Sequence, residues 1–266
     1  VRTIIIIPAR YASTRFPGKP LAALRGHDGT ARTLIERSWM AARGVAGIDR
    51  VVIATDDTRI ADAAQAFGAE VAMTPSTCRN GTERCAATLD VLGETPDLVI
   101  NLQGDAPLTP ADFVTAIRAR MIAEPGLAMC TPAVACSPTM LAALVEDQSA
   151  GRVGGTTVVF DRNHEALYFS KRVIPYVAPE RIAREAAAVY LHLGVYAYRP
   201  AALASYLALP PSPLEDLEGL EQLRFLEAGI RIGLAVCPQP EWDVIELNNP
   251  SDVPAIEAIL SERGWQ

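Results

Sequence analysis

Runs of consecutive apolar residues, each opening into a polar stretch, recur through the first part of the chain. Ile4-Ile5-Ile6-Ile7 leads into Pro8-Ala9-Arg10, Val51-Val52-Ile53-Ala54 into Thr55-Asp56-Asp57, and Leu98-Val99-Ile100-Asn101-Leu102 into Gln103-Gly104-Asp105. A continuous β-branched run predicts a strand covered on both faces rather than an edge strand with one wet face. Between the runs, Thr33 to Arg43, Thr58 to Phe67 and Thr82 to Leu92 carry helical patterns. Strand–loop–helix units at this spacing predict a three-layer α/β fold: a mainly parallel, mixed sheet with helices on both faces. Right-handed crossovers then bring the three polar loops to one sheet edge, where ligands of such folds bind.

The later half reads differently. Thr156 to Phe160, Ala166 to Phe169 and Leu191 to Tyr198 predict further strands, and Glu215 to Gly229 and Val253 to Arg263 predict amphipathic helices. The charged, Ala-rich span from Pro175 to Ala188 predicts a helical excursion. With no linker, repeat or low-complexity segment, residues 1–266 are expected to form one domain.

Charge changes the picture. The formal net charge of −7 gives no basic field for nucleic acid or an anionic membrane surface, so an anionic ligand requires locally concentrated cations. The five cysteines form no CxxC pair, which predicts free thiols in a reducing cytoplasm rather than disulfides or structural zinc. The apolar start is far short of the roughly 20 residues of a membrane span. Neither a membrane partner nor a nucleic-acid partner is expected.

The local cations lie in Pro8-Ala9-Arg10-Tyr11-Ala12-Ser13-Thr14-Arg15-Phe16-Pro17-Gly18-Lys19-Pro20. Guanidinium forks, an ammonium, hydroxyls and a glycine after a buried strand are what a triphosphate needs. Prolines stiffen the loop and reduce the entropy lost on binding. The segment matches neither the P-loop pattern nor the glycine-rich dinucleotide fingerprint. Asp105, at the mouth of the third strand, suits Mg²⁺, which binds carboxylates and phosphate oxygens together; an aspartate after glycine is also a common turn residue.

The string IIPARYASTRFPGKPL resembles the opening signature of the cytidylyltransferases that activate 3-deoxy-manno-octulosonate (Kdo), the CMP-Kdo synthetases. The likeness extends through VVIATDD, NGTER at Asn80 to Arg84, INLQGDAPL, EALYFSK, HLGVYAYR, PSPLE and LEQLRFLEAG. It implies a nucleotide-diphospho-sugar transferase-like fold, Mg²⁺, CTP and an acidic sugar as partners, and a homodimer with its contact near residues 165 to 200. By the same resemblance, Pro8, Ala9, Arg10, Ser13, Arg15, Lys19, Asn80 and Gly81 border the nucleotide, with Arg10, Lys19 and Asp105 catalytic. Arg84, Gln103, His192, Tyr196, Glu221 and Gln222 would surround the sugar acid or nucleotide. An arginine can fork a carboxylate, while the others can sort hydroxyls. From the residues alone, His192 fits a satisfied core histidine equally, and Glu221 and Gln222 fit the wet side of a helix.

The chain departs from the family pattern in places. Asn80 replaces a serine, Ala106 a glutamate, and Lys171 an arginine. The second metal-binding aspartate of the family is matched by Asn248, which brings a carbonyl but no charge; Glu246 or Asp243 would have to compensate. Two alternatives stay open: a different anionic acceptor such as a sugar 1-phosphate, or a nucleotide-binding protein without turnover.

Overall fold

In the computed structural model, which describes residues 1–13 and 15–266, the chain divides into two compact units. Val1–Thr115 and Pro240–Gln266 form the first, and Ala116–Gln239 the second. Thr14 of the basic loop lies outside the described residues.

The first unit opens with β1 (Thr3–Ala9), the short hairpin β2 (Ala23–Arg25) and β3 (Ala31–Thr33), and helix α1 (Leu34–Arg43). There follow β4 (Arg50–Thr55), α2 (Thr58–Ala66), β5 (Glu70–Met73), α3 (Gly81–Leu92) and β6 (Leu98–Leu102). Side chains set each helix start. Thr33, Asp57 and Asn80 accept hydrogen bonds from backbone N–H groups that would otherwise have no partner. The main sheet runs β5-β4-β1-β6 with every neighbour parallel. Ile4 to Ile7 are completely buried, as a strand covered on both faces requires.

The chain steps outward from β1 to β4 and β5, then returns to the other side of β1 as β6. Right-handed crossovers therefore put α1 and α2 on one face and α3 on the other. The order reverses between β1 and β6, and the crevice beyond their carboxyl ends is the natural ligand position. Arg10 and Gln103 to Asp105 leave the sheet there, just past Ala9 and Leu102. The closing helix Val253–Glu262 packs Ile256 and Leu260 with Leu24, Leu34, Leu108 and Leu247 into one apolar cluster, which anchors the segment 240–252.

Helix α4 (Ala111–Ala123) carries the chain into the second unit. Its spine is β7 (Met129–Ala135), followed by α5 (Pro138–Ser149), β8 (Thr156–Phe160) and β9 (Ala166–Ser170). The predicted strand from Leu191 to Tyr198 is two strands, β10 (Tyr190–His192) and β11 (Val195–Tyr198), both antiparallel to β7. Pairing His192 with Ala133 but Ala197 with Cys130 leaves extra residues at Leu193-Gly194. The Thr131 hydroxyl lies in this break, 2.8 Å from the Val195 carbonyl and 3.3 Å from that of Leu193. Late in the chain, β12 (Ile232–Cys237) joins β7 in parallel.

The predicted helix from Glu215 to Gly229 is also broken. Pro213–Glu218 ends at Gly219, whose φ of 61° is left-handed, and Gln222–Glu227 begins a second helix. The left-handed backbone is what favours glycine there; the Lys171 ammonium, 2.8 Å from where a Cβ would stand, could swing aside. The span from Pro175 to Ala188 holds only short turns of helix, the longest being Ile182–Glu185.

Candidate active site

Within the first unit, the basic loop returns to the sheet through a tight turn. Gly18 adopts φ 71° and donates its N–H to the Tyr11 carbonyl at 3.0 Å, and a Cβ there would meet the Tyr11 ring at 3.0 Å. Only glycine fits comfortably. The Ser13 hydroxyl accepts the Phe16 N–H at 3.3 Å, and Arg59 stacks its guanidinium over the Tyr11 ring at 3.3 Å. The turn delivers Lys19, whose ammonium donates to Asp105 Oδ2 at 2.7 Å, both side chains partly screened from water.

A second pair runs parallel to the first. The exposed Arg15 donates through Nη2 to Asn248 Oδ1 at 3.0 Å, and the Asn248 amide faces Glu246 Oε2 at 3.4 Å. The Leu247 N–H donates to the Asp105 carbonyl at 2.8 Å, so the two segments are joined through the main chain. Asp252 fixes the far end by accepting the N–H groups of Asn248 and Asn249 at 2.8 and 2.7 Å. Burial and the neighbouring Asp105 carboxylate raise the Glu246 pKa, against the opposing pull of Asn248, Lys19 and Arg15. Asp243 is exposed on the same segment. Among the described residues no group of three or more His, Cys, Asp or Glu side chains is arranged to hold a metal. The donor set is instead two carboxylates and an amide carbonyl. That set suits an ion which keeps several waters and takes its other ligands from phosphate.

Pro8, Gly81 and Gln103 come together with Asn101. A Cβ at Gly81 would lie 3.1 Å from Asn101 Nδ2, 3.3 Å from Gln103 Nε2 and 3.5 Å from Pro8. Gln103 Nε2 donates to Asn101 Oδ1 at 3.3 Å, while Asn101 Nδ2 is buried without a partner. Asn80 caps α3 by accepting the Glu83 N–H at 2.9 Å. Serine and asparagine are near-equivalent caps, so the departure from the expected serine keeps the helix start intact. Arg10 is exposed beyond β1, and Ala9 is buried at its end. Arg84 is almost wholly buried, its Nη1 2.6 Å from Thr74 Oγ1 and 3.3 Å from Asp56.

The remaining predicted residues belong to the second unit. His192 is buried, with Nε2 2.9 Å from Thr131 Oγ1 and its ring 5.0 Å from Phe169 and 5.5 Å from Tyr196. Burial pushes its pKa down to about 3, so the imidazole is neutral at physiological pH. Gln222 is also buried, with Nε2 unpartnered, which excludes a place on the wet side of a helix. Glu221 beside it is half-buried. Nearby in sequence, Glu215 accepts from Arg224 and, at 2.7 Å, from the Tyr206 hydroxyl.

The family model described as Cytidylyltransferase matches residues 4–232. A 3-deoxy-manno-octulosonate cytidylyltransferase of Maricaulis maris is 44% identical, over 98% of this chain and 98% of that protein. The chain belongs to the 3-deoxy-manno-octulosonate cytidylyltransferase family. Another such protein, from Desulfatibacillum aliphaticivorans, is 37% identical over 99% of this chain and 100% of its own length. Among solved structures, a CMP:2-keto-3-deoxy-manno-octonic acid synthetase complexed with CTP superposes with a TM-score of 0.84. It is 33% identical and covers 99% of this chain and 100% of its own. The family match thus extends over both units rather than over the first loop alone.

Sequence reasoning had no way to reach several residues around these groups. Asp56 and Thr74 occupy Arg84, Thr131 occupies His192, and Asn101 supplies the orphaned amide. The Thr131–His192 contact spans 61 residues, which no local pattern reports. The only local signal was the polar Asn101 inside an otherwise apolar strand.

Proposed function

We propose that this protein transfers CMP from CTP to the anomeric hydroxyl of 3-deoxy-manno-octulosonate, with release of pyrophosphate. The observation that carries this reading is the Lys19–Asp105 pair set against Arg15, Asn248 and Glu246 at the carboxyl edge of a parallel sheet. The sugar hydroxyl gives up its proton to water as its oxygen attacks the α-phosphorus, the bond from that phosphorus to the β-phosphate bridging oxygen breaks, and pyrophosphate leaves with the electron pair. Such a transfer asks the protein mainly for positioning and charge neutralisation.

Lys19 is the mobile point charge. In the free protein it rests on Asp105; with nucleotide present it turns to the phosphates and releases the carboxylate. Arg10 and Arg15 provide planar forks at the rim, where a guanidinium matches phosphate oxygens bidentately. Pro8, Ala9, Ser13, Asn80 and Gly81 border the nucleotide, and the N-terminus of α3 adds a favourable field for anionic groups. Asp105 and Glu246, with the Asn248 carbonyl, would hold Mg²⁺; Asp243 would not. When bound, that ion supplies charge neutralisation on phosphate oxygens. Glu246 thereby restores the negative charge that Asn248 lacks.

For the sugar acid, we take Arg84 and Gln103 of the first unit as donors; His192, Tyr196, Glu221 and Gln222 of the second are proposed for the same role only on the family resemblance. A neutral His192 can orient a hydroxyl but cannot neutralise a carboxylate, so that charge falls to an arginine. We also propose a homodimer and a reducing, cytoplasmic setting. In favour are the exposed apolar Leu167 and Tyr176, the absence of disulfides among the described cysteines, and no helix long and apolar enough to cross a membrane.

A pyrophosphate-release assay with CTP, Mg²⁺ and 3-deoxy-manno-octulosonate tests the reading. Parallel reactions with ATP, GTP and UTP, and with sugar 1-phosphates, should be at background. CTP binding without turnover on any ulosonic acid would overturn it.

A further inference from the structure

Two of the oxygens proposed to hold a divalent cation already face positive side chains. Asp105 Oδ2 accepts the Lys19 ammonium at 2.7 Å, with the two side chains only 28% and 14% exposed. Asn248 Oδ1 accepts Arg15 Nη2 at 3.0 Å. Both cations come from the one loop that follows β1, and both acceptors come from segments tied together by the bond from the Leu247 N–H to the Asp105 carbonyl.

The pairing is built from both sides. The Asn248 amide nitrogen lies 3.4 Å from Glu246 Oε2, which leaves Oδ1 for Arg15. On the other side, the left-handed turn at Gly18, pinned by its N–H on the Tyr11 carbonyl, sets Lys19 over the carboxylate. Arg10, in the same loop, is exposed and forms no ion pair among the described residues. Two of the three loop cations are therefore spent on oxygens of the cation site, and the third is not.

An ammonium and a divalent cation compete for the same oxygen, because both use its lone pairs and the two positive charges repel at short range. A guanidinium on the Asn248 carbonyl competes in the same way. A triphosphate offers Lys19 and Arg15 several charged oxygens in place of one carboxylate and one neutral amide, so it draws both side chains off together. We infer that Lys19 and Arg15 plug the cation site of the nucleotide-free protein, keeping divalent ions off Asp105 and Asn248 until a triphosphate engages the two side chains. The inference rests on the reading of this sheet edge as a triphosphate and Mg²⁺ site, and it concerns the order of binding rather than the transfer.

Mn²⁺ titrated into the full chain without nucleotide, with the free ion read by electron paramagnetic resonance, tests the plug. Lys19→Met should bind Mn²⁺ about fivefold tighter than the wild type, the upper end for a partly exposed ion pair. Arg15→Met should gain less, because its partner is neutral, and the double variant should gain most. Arg10→Met removes an equal charge from the loop without uncovering either oxygen, and at physiological ionic strength it should stay within about twofold of the wild type. Thermal unfolding midpoints matching the wild type show that the variants fold. No gain in Lys19→Met, an equal gain in Arg10→Met, or no detectable Mn²⁺ on the double variant would each overturn the plug. The readout is independent of turnover: a gain in Lys19→Met beside a protein that releases no pyrophosphate from CTP supports the plug while the transfer reading fails.

Discussion

The two units use polar side chains in opposite ways. In the first, Lys19, Asp105, Arg15 and Asn248 pair at the partly wet end of a sheet, where each contact can be exchanged for a ligand atom. In the second, His192, Thr131, Gln222, Glu215 and Arg224 are buried, and most are already committed. Exposed or half-exposed ion pairs contribute little to stability, whereas breaking a buried one leaves an uncompensated charge. The first arrangement is therefore cheap to disturb structurally and suited to chemistry; the second is costly to disturb and suited to holding shape.

The sharpest way to break this contrast is Arg224→Met. It strands Glu215 beside Tyr206 and should cost about 3–5 kcal/mol in urea unfolding. A loss below about 1 kcal/mol would place Arg224 with the exchangeable pairs. Lys19→Ala should do the reverse. Turnover should fall about 10²–10³-fold, as when a donor aimed at developing charge is removed, with the unfolding midpoint nearly unchanged. Glu246→Gln should weaken Mg²⁺ binding by about 10–100-fold, read from Mn²⁺ or Mg²⁺ titration with nucleotide bound, while Asp243→Asn should leave it unaltered.

The effect that is smallest at neutral pH, and grows as pH falls, is that of His192. His192 takes up a proton below about 3 when folded but near 6.5 when unfolded. Its neutral burial therefore leaves stability intact above 6.5, and stability is lost as pH falls through that window, by about 1.4 kcal/mol per unit. His192→Gln should flatten the unfolding free energy against pH between those limits. An unchanged slope would mean that the imidazole is reached by solvent.

Much of the first unit was legible because its signals are local. Ile4 to Ile7, Val51 to Ala54 and Leu98 to Leu102 are too apolar for anything but a doubly covered strand, and Thr33, Asp57 and Asn80 announce their helices. Strand β7 was not legible: Pro132 sits in its middle, where proline normally argues against a strand. The glycine that splits Glu215 to Gly229 reads in sequence as a tolerable helical residue, and its left-handed φ of 61°, which ends the first helix, is not visible there. The site followed the same division. The basic loop and Asp105 stand out locally in the sequence and pair through Lys19, but that Glu246 comes near Asp105 is a tertiary contact with no local signal.

Two main-chain acceptors, Leu108 O taking the Trp242 indole and Asp105 O taking the Leu247 amide, rivet the strand-end loop to the returning segment at both ends. The separation between the Asp105 and Leu247 positions is thereby a property of the backbone frame. Side chains along the returning segment can hand the negative charge from one position to another without the frame having to be rebuilt.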